Sequence, residues 1–167
     1  MNRRSILLAM SAAVAHAVSP AVAHAAEDFD DPAAKLVSVT AAGGRTVTFS
    51  RDDLAALPQT RFETSAPWIA TAVFEGPSVA QLLRIVAPEA TFEQAEITAL
   101  DEYTASADVP RLLADGAIVA VKQNGAFMPV AEKGPALLIF PFDDKPELKD
   151  KAHFGLCIWQ ISRIRLS

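Results

Sequence analysis

The chain has 167 residues, 51% of them hydrophobic, with 15 basic against 20 acidic side chains and a formal net charge of −5. That length suits one domain whose core needs neither disulfides nor a structural metal, supports required mainly below about 70–80 residues. The acidic balance excludes a basic field for a phosphate backbone, so nucleic acid is not an expected partner. The single cysteine, Cys157, excludes an intrachain disulfide, a CxxC motif and a Cys/His zinc cluster.

The chain opens as an export signal. Arg3 and Arg4 precede an apolar, Ala-rich run over 6–22, which closes on the small-residue pattern Ala23-His24-Ala25. His16 and Pro20 interrupt the run, making it a poor span against the ~20 apolar residues a bilayer requires. Residues 1–25 are therefore expected to be a cleaved signal peptide, and the exported protein is not expected to span a membrane. Arg3-Arg4 before Ser5 also resembles a twin-arginine signal, but a basic n-region for the general route is preferred. Loss of Arg3 and Arg4 takes the basic count from 15 to 13 and the net charge from −5 to −7. His153 is then the sole histidine, and Cys157 enters an oxidising compartment where a lone thiol is either buried or a hazard.

Residues 26–35 read as a flexible N-terminus, with the acidic stretch 27–32 (EDFDDP) frayed. The domain proper is expected over 36–167. Residues 36–40 and 46–49 have strand composition around Ala42-Gly43-Gly44, the pattern of a tight hairpin. Ser50 reads as the N-cap of a short helix carrying Asp52 and Asp53 early and stopped by Pro58. Residues 61–65 alternate as a strand, Pro67-Trp68 marks a loop, and Val73-Phe74 leads into a turn at Glu75-Gly76-Pro77. Ser78 caps a helix whose Val79, Leu82, Leu83 and Val86 follow i, i+3, i+4, i+7 spacing, and Pro88 stops it. Strands follow at 95–100 and 104–109, a helical turn at 110–113, buried strands at 118–121 and 136–140, a turn at Asn124-Gly125, and a last strand over 158–166. Eight or so short strands with three or four short helices give an α+β domain dominated by antiparallel or mixed sheet.

The usual catalytic constellations are missing. The chain has no GxSxG, no phosphate-binding GxxxxGK[ST] and no HExxH. Any triad would need His153 as its base. Gly155 and the apolar run Leu156-Cys157-Ile158 argue for extended chain between His153 and Cys157. That would hold the two roughly 13 Å apart, too far for proton transfer, with Cys157 a small buried hydrophobe. Asp143, Asp144 and Asp150 lack the spacing of a calcium loop and are expected to face solvent.

What remains is a set of aromatic and polar residues in predicted loops: Trp68, Tyr103 beside Asp101, Phe142 before Asp143 and Asp144, and Trp159 at the entry to the last strand. Loops held on a rigid sheet are where binding residues collect. Flat rings beside carboxylates suit a planar heterocycle, the rings stacking while the carboxylates accept from ring N–H and amino groups.

Several short signatures recur in a familiar order. They are Phe74-Glu75-Gly76-Pro77-Ser78 leading into the Leu82-Leu83 helix, Leu100-Asp101-Glu102-Tyr103, Asn124-Gly125, and Lys133-Gly134-Pro135 leading to Ile139-Phe140-Pro141. Together they resemble the molybdopterin-binding domain of the sulfite oxidase family over roughly 36–166. The resemblance implies a mixed α+β fold with the pterin held among loops on one side. In enzymes of that family a cysteine thiolate ligates molybdenum on a segment ahead of the glycine turn. The corresponding stretch here, 61–68 (RFETSAPW), contains no cysteine, and Ser65 is no simple substitute for a soft thiolate.

The short, cysteine-less form with a signal peptide resembles bacterial periplasmic pterin-binding proteins. That resemblance implies a periplasmic protein that binds a reduced pterin without molybdenum and has no catalytic turnover. It further implies a partner, the periplasmic region of an inner-membrane enzyme that makes or degrades cyclic di-GMP, and hence control of biofilm formation. The expected pterin-binding residues are Trp159 and Trp68 as aromatic walls, with Tyr103 and Phe142 next. Asp101, Asp143 or Asp144 would accept from the amino-pyrimidine edge, and Lys133 would donate to the ring carbonyl. The charged segment 142–154 is the expected partner-facing surface. The other reading is a molybdopterin-dependent oxidoreductase with an atypical metal ligand.

Overall fold

The computed structural model describes residues 28–167; the expected signal peptide lies outside them. Strands β1 (Lys35–Thr40) and β2 (Thr46–Ser50) form the expected hairpin, Val37 opposite Phe49 and Thr40 opposite Thr46. Gly43 and Gly44, at φ 93° and 91°, supply the left-handed turn that L-residues resist. Helix α1 (Arg51–Ala56) starts in a capping box: Asp53 N donates to Ser50 Oγ at 3.0 Å, and Ser50 N donates to Asp53 Oδ2 at 2.8 Å. Strands β3 (Thr60–Ala66) and β4 (Ile69–Gly76) make one long hairpin with Trp68 in its turn, and Glu75-Gly76, expected as turn, is still strand. Helix α2 (Val79–Val86) is capped by Ser78 and buries Val79, Leu82 and Val86.

Strands β5 (Gln94–Ala99) and β6 (Thr104–Asp108) lead to helix α3 (Val109–Asp115), with Pro110 in its first turn and Gly116 closing it. Strands β7 (Ile118–Ala120), β8 (Lys122–Gln123), β9 (Ala126–Phe127) and β10 (Leu137–Ile139) follow, then helix α4 (Lys151–Leu156) and strand β11 (Ile161–Leu166). Short 3-10 turns lie at Val130–Glu132 and Pro146–Leu148.

The largest sheet runs β2-β1-β11-β5-β6, in which β1 and β11 pair in parallel, so the two ends of the domain lie side by side. A second sheet runs β3-β4-β8-β9, and β7 pairs with β10 between them in sequence and core position. This is the mixed α+β architecture expected. Residues 117–121 and 136–140 are buried throughout, which is why both read as unbroken apolar runs. Among the described residues no helix is long and apolar enough to cross a membrane.

Two glycines of the recurring signatures are packing devices. A Cβ on Gly76 would run into the backbone of Val119 and Ala120, and one on Gly134 into that of Met128 and Pro129. Each allows two chain segments to approach more closely than any side chain permits.

Three expectations are corrected. Residues 153–157 are not extended: Asp150 caps α4, its Oδ1 accepting from His153 N at 2.8 Å, and Gly155 sits in the last turn. The last strand starts at Ile161, leaving 157–160 as a loop. The N-terminal stretch is tied down from Phe29, because buried Arg51 donates to the carbonyls of Phe29 (3.0 Å) and Asp30 (3.1 Å), and Asp30 Oδ1 accepts from Val130 N at 3.0 Å.

Candidate functional site

Three loops converge at one end of the molecule: the β3–β4 turn, the β5–β6 turn and the segment joining α4 to β11. Between them lies a cavity of about 430 Å³, within the range of small-molecule sites. Trp68, Phe154 and Trp159 form aromatic walls with Tyr103 at the mouth, while Asp101 and Gln160 supply polar groups. Tyr103 is 54% and Trp159 41% exposed, two of the few large hydrophobic side chains left open to solvent. Trp68 meets Phe154 edge-on at 5.3 Å between ring centres, and Phe154 packs in turn on Phe142 at 5.1 Å.

The loops are held in unusual backbone states. Among the described residues, four non-glycine residues have positive φ; one of them, Gln160, lines this cavity, and another, Glu102, stands between the lining residues Asp101 and Tyr103. Strain of this kind persists only where surroundings over-determine it. Gln160 is the node: its carbonyl accepts from Leu100 N at 2.9 Å, and its Nε2 donates to Val130 O at 2.8 Å. Asp101 Oδ1 accepts from Tyr103 N at 3.0 Å, which shapes the β5–β6 turn.

Helix α4 is anchored from behind by His153. This buried ring has Nε2 2.9 Å from Asp115 Oδ2 on α3 and Nδ1 2.9 Å from Asp150 Oδ2, with the Arg111 guanidinium 3.3 Å from Nδ1. The contacts fix the orientation of the turn that presents Phe154 and Gly155 to the cavity. Hydrogen bonds from the His153 backbone and then its ring hold the Asp150 carboxyl below the usual range.

Four of the eight sequence-predicted residues, Trp68, Asp101, Tyr103 and Trp159, are brought together here. Lys133 stands beside them, outside the lining, with Nζ 4.9 Å from the centre of the Trp159 ring. There the ammonium makes a cation–π contact with the indole. Phe142 is fully buried behind Phe154 and has no face for a ligand. Asp143 is also elsewhere: its Oδ1 accepts from Lys149 Nζ at 2.6 Å and Ser65 Oγ at 3.0 Å, contacts that lower its pKa, the lysine most. Asp144 is exposed and lines no part of the cavity.

Sequence reasoning missed Phe154, Gly155, Cys157, Ile158 and Gln160: Phe154 fell in the segment read as partner-facing surface, Gly155 and Cys157 in chain read as extended, and Ile158 and Gln160 in the expected last strand. The available signal was Asp150 three residues before His153, a helix cap in a charged stretch. A groove of similar volume lies between α2 and α3, but its lining is mostly aliphatic and it lacks the aromatic cluster.

Cys157 proves to line the cavity. Its Sγ donates to His153 O at 3.6 Å, and burial pushes the thiol up to about 12, against a smaller lowering by a hydrogen bond from the Phe140 backbone. Among the described residues no cluster of three His, Cys, Asp or Glu side chains is placed to hold a metal ion.

The fold and this loop-bound site define a molybdopterin-binding type of domain. The family model described as "Oxidoreductase molybdopterin binding domain" matches residues 27–142, and the chain belongs to that family. Among solved structures, the sulfane dehydrogenase SoxCD from Paracoccus pantotrophus matches with a TM-score of 0.58 at 14% identity, over 79% of this chain and 37% of that one. That likeness is one of fold, and this chain spans little more than a third of the other's length. No curated protein matches the sequence. The family match ends before α4, so the wall from Phe154 to Gln160 lies beyond it.

The residues present fit one part of the family's cofactor better than the other. Aromatic walls and the Asp101 carboxylate suit a flat heterocycle carrying hydrogen-bond donors. A metal would need a thiolate, and the thiol lining this cavity is buried, hydrogen-bonded as a donor and pushed away from ionisation. The segment 61–68 contains no thiol, and its Ser65 hydroxyl is engaged with Asp143.

Proposed function

We propose that this protein is an exported, periplasmic pterin-binding protein that works without catalytic molybdenum. On this reading a reduced pterin enters between Trp159 and Trp68, with Tyr103 at the mouth. Asp101 accepts from its amino-pyrimidine edge, a charge-assisted bond worth about 1.5–3 kcal/mol. Stacking adds about 0.5–1.5 kcal/mol beyond area burial. The observation that carries the reading is an aromatic cavity whose one thiol is held protonated.

The loaded protein then acts on the periplasmic region of a membrane-bound enzyme of cyclic di-GMP metabolism, and so on biofilm formation. Signalling requires that the ligand bias a surface the partner touches. Support comes from the charged stretch around Asp144, Lys149 and Asp150, which runs directly into α4 and the cavity wall.

Titration of the purified protein with a reduced pterin tests the first step: saturable quenching of tryptophan fluorescence is expected, and its absence contradicts the reading. Charge reversal of Asp143 and Asp144 tests the second, since unchanged partner binding would remove this surface from the proposal. The position of Cys157 in the lining is the observation that favours the second reading, a molybdenum oxidoreductase with a displaced ligand.

A further inference from the structure

Asp101 is the one acidic side chain among those lining the cavity, and no Lys, Arg or His is among them. Its Oδ1 already accepts from the Tyr103 amide, and its second oxygen has no partner among the described residues. Gln160 spends its Nε2 on the Val130 carbonyl, which leaves its side-chain oxygen as a further acceptor. The end of α4 that meets the cavity, at Phe154 and Gly155, is the carbonyl end of the helix, where the peptide dipoles leave partial negative charge.

The cations nearby are committed elsewhere. Lys133 Nζ sits 4.9 Å from the centre of the Trp159 ring, and Arg163 is paired with Glu102 Oε2 at 2.6 Å. Neither lines the cavity. Phosphate sites are built from Arg forks, lysines, or backbone N–H groups at helix N-termini. None of these lines this cavity among the described residues.

We infer that the cavity selects an unphosphorylated, donor-rich heterocycle, neutral or cationic, and discriminates against phosphate esters of the same ring system. This rests on the pterin reading and narrows it. It also sets the site apart from one for molybdopterin, whose side chain ends in a phosphate. The source of the discrimination is charge: a phosphate dianion brought near Asp101 is repelled, and among the described residues no cationic side chain lines the cavity to offset it.

The test compares 7,8-dihydroneopterin with its 3′-monophosphate by anaerobic fluorescence titration of the full protein at low and high salt. The ester is expected to bind at least about fivefold more weakly at low salt, with the gap narrowing as salt screens the repulsion. Asp101→Asn, which keeps an oxygen for the Tyr103 amide, is expected to narrow it as well. Equal or tighter binding of the ester overturns the inference while leaving the pterin reading intact. A gap indifferent to both salt and Asp101→Asn is steric in origin and also overturns it. If neither compound binds, the pterin reading itself fails and takes the inference with it.

Discussion

The Cys157 Sγ donates to the backbone carbonyl of His153 at 3.6 Å, across the last turn of α4. The sulfur thus faces the cavity region as a thiol that has already used its proton. Native protein is expected to react with iodoacetamide far more slowly than unfolded protein at pH 8, as followed by mass spectrometry. Labelling as fast as a free thiol would contradict the burial and raised pKa assigned here.

Trp159 and Phe142 separate binding from folding. Trp159 is 41% exposed and Phe142 fully buried. Trp159→Ala should weaken pterin binding roughly tenfold or more while changing stability by under about 1 kcal/mol, since surface substitutions seldom cost more. Phe142→Ala should cost about 3–5 kcal/mol in urea unfolding, the range for truncating a core phenylalanine. A Trp159 variant that binds as the parent does would remove that residue from the site.

Three carboxyls shape the acid limb of stability. Asp53, Asp143 and Asp150 each accept hydrogen bonds that lower their pKa from the ordinary 3.8, through Ser50, Lys149 and His153 respectively. A lowered folded-state pKa means that the stabilisation is fully present above the unfolded value and lost as pH falls through the folded one. The urea midpoint should therefore show no loss from these groups between pH 7 and 5, and should fall below about pH 4. Asp143→Asn and Asp150→Asn should each flatten that fall; an unchanged acid limb in both would assign it to other groups.

Gly76 lies where β4 passes against β7 with no room for a methyl group. Gly76→Ala should destabilise by about 1–3 kcal/mol or more, as overpacking does. Gly155→Ala, where a Cβ meets nothing within 4 Å, should leave urea stability nearly unchanged or raised. Equal effects would contradict the close approach.

The sequence was most legible where one local rule acted alone. Ser78 with the spacing of Val79, Leu82 and Val86 placed α2 and its start, and Ser50 with Asp53 placed α1. It was least legible where tertiary packing decides. Nothing local says that Phe142 packs behind Phe154 while Trp159, between Ile158 and Ile161, stays half open. The stretch 153–160 was misread because Gly155 and the apolar run after it suggest extended chain, while the Asp150 cap went unread. In the structure the cap, with the anchoring of His153 by Asp115, makes a helix up to Leu156, and 157–160 follow as loop. That one misread segment concealed half of the cavity wall. Asp101, Tyr103, Trp68 and Trp159 were legible because each stands in or beside a turn, where the fold brings loops together.

The central claim is that this cavity holds a pterin ring and no protein-ligated molybdenum. Elemental analysis and mass spectrometry of native protein, purified anaerobically from cells supplied with molybdate, measure both at once. The account predicts a co-purifying pterin with molybdenum far below one atom per chain. Molybdenum near one per chain, lost on Cys157→Ser, would contradict it.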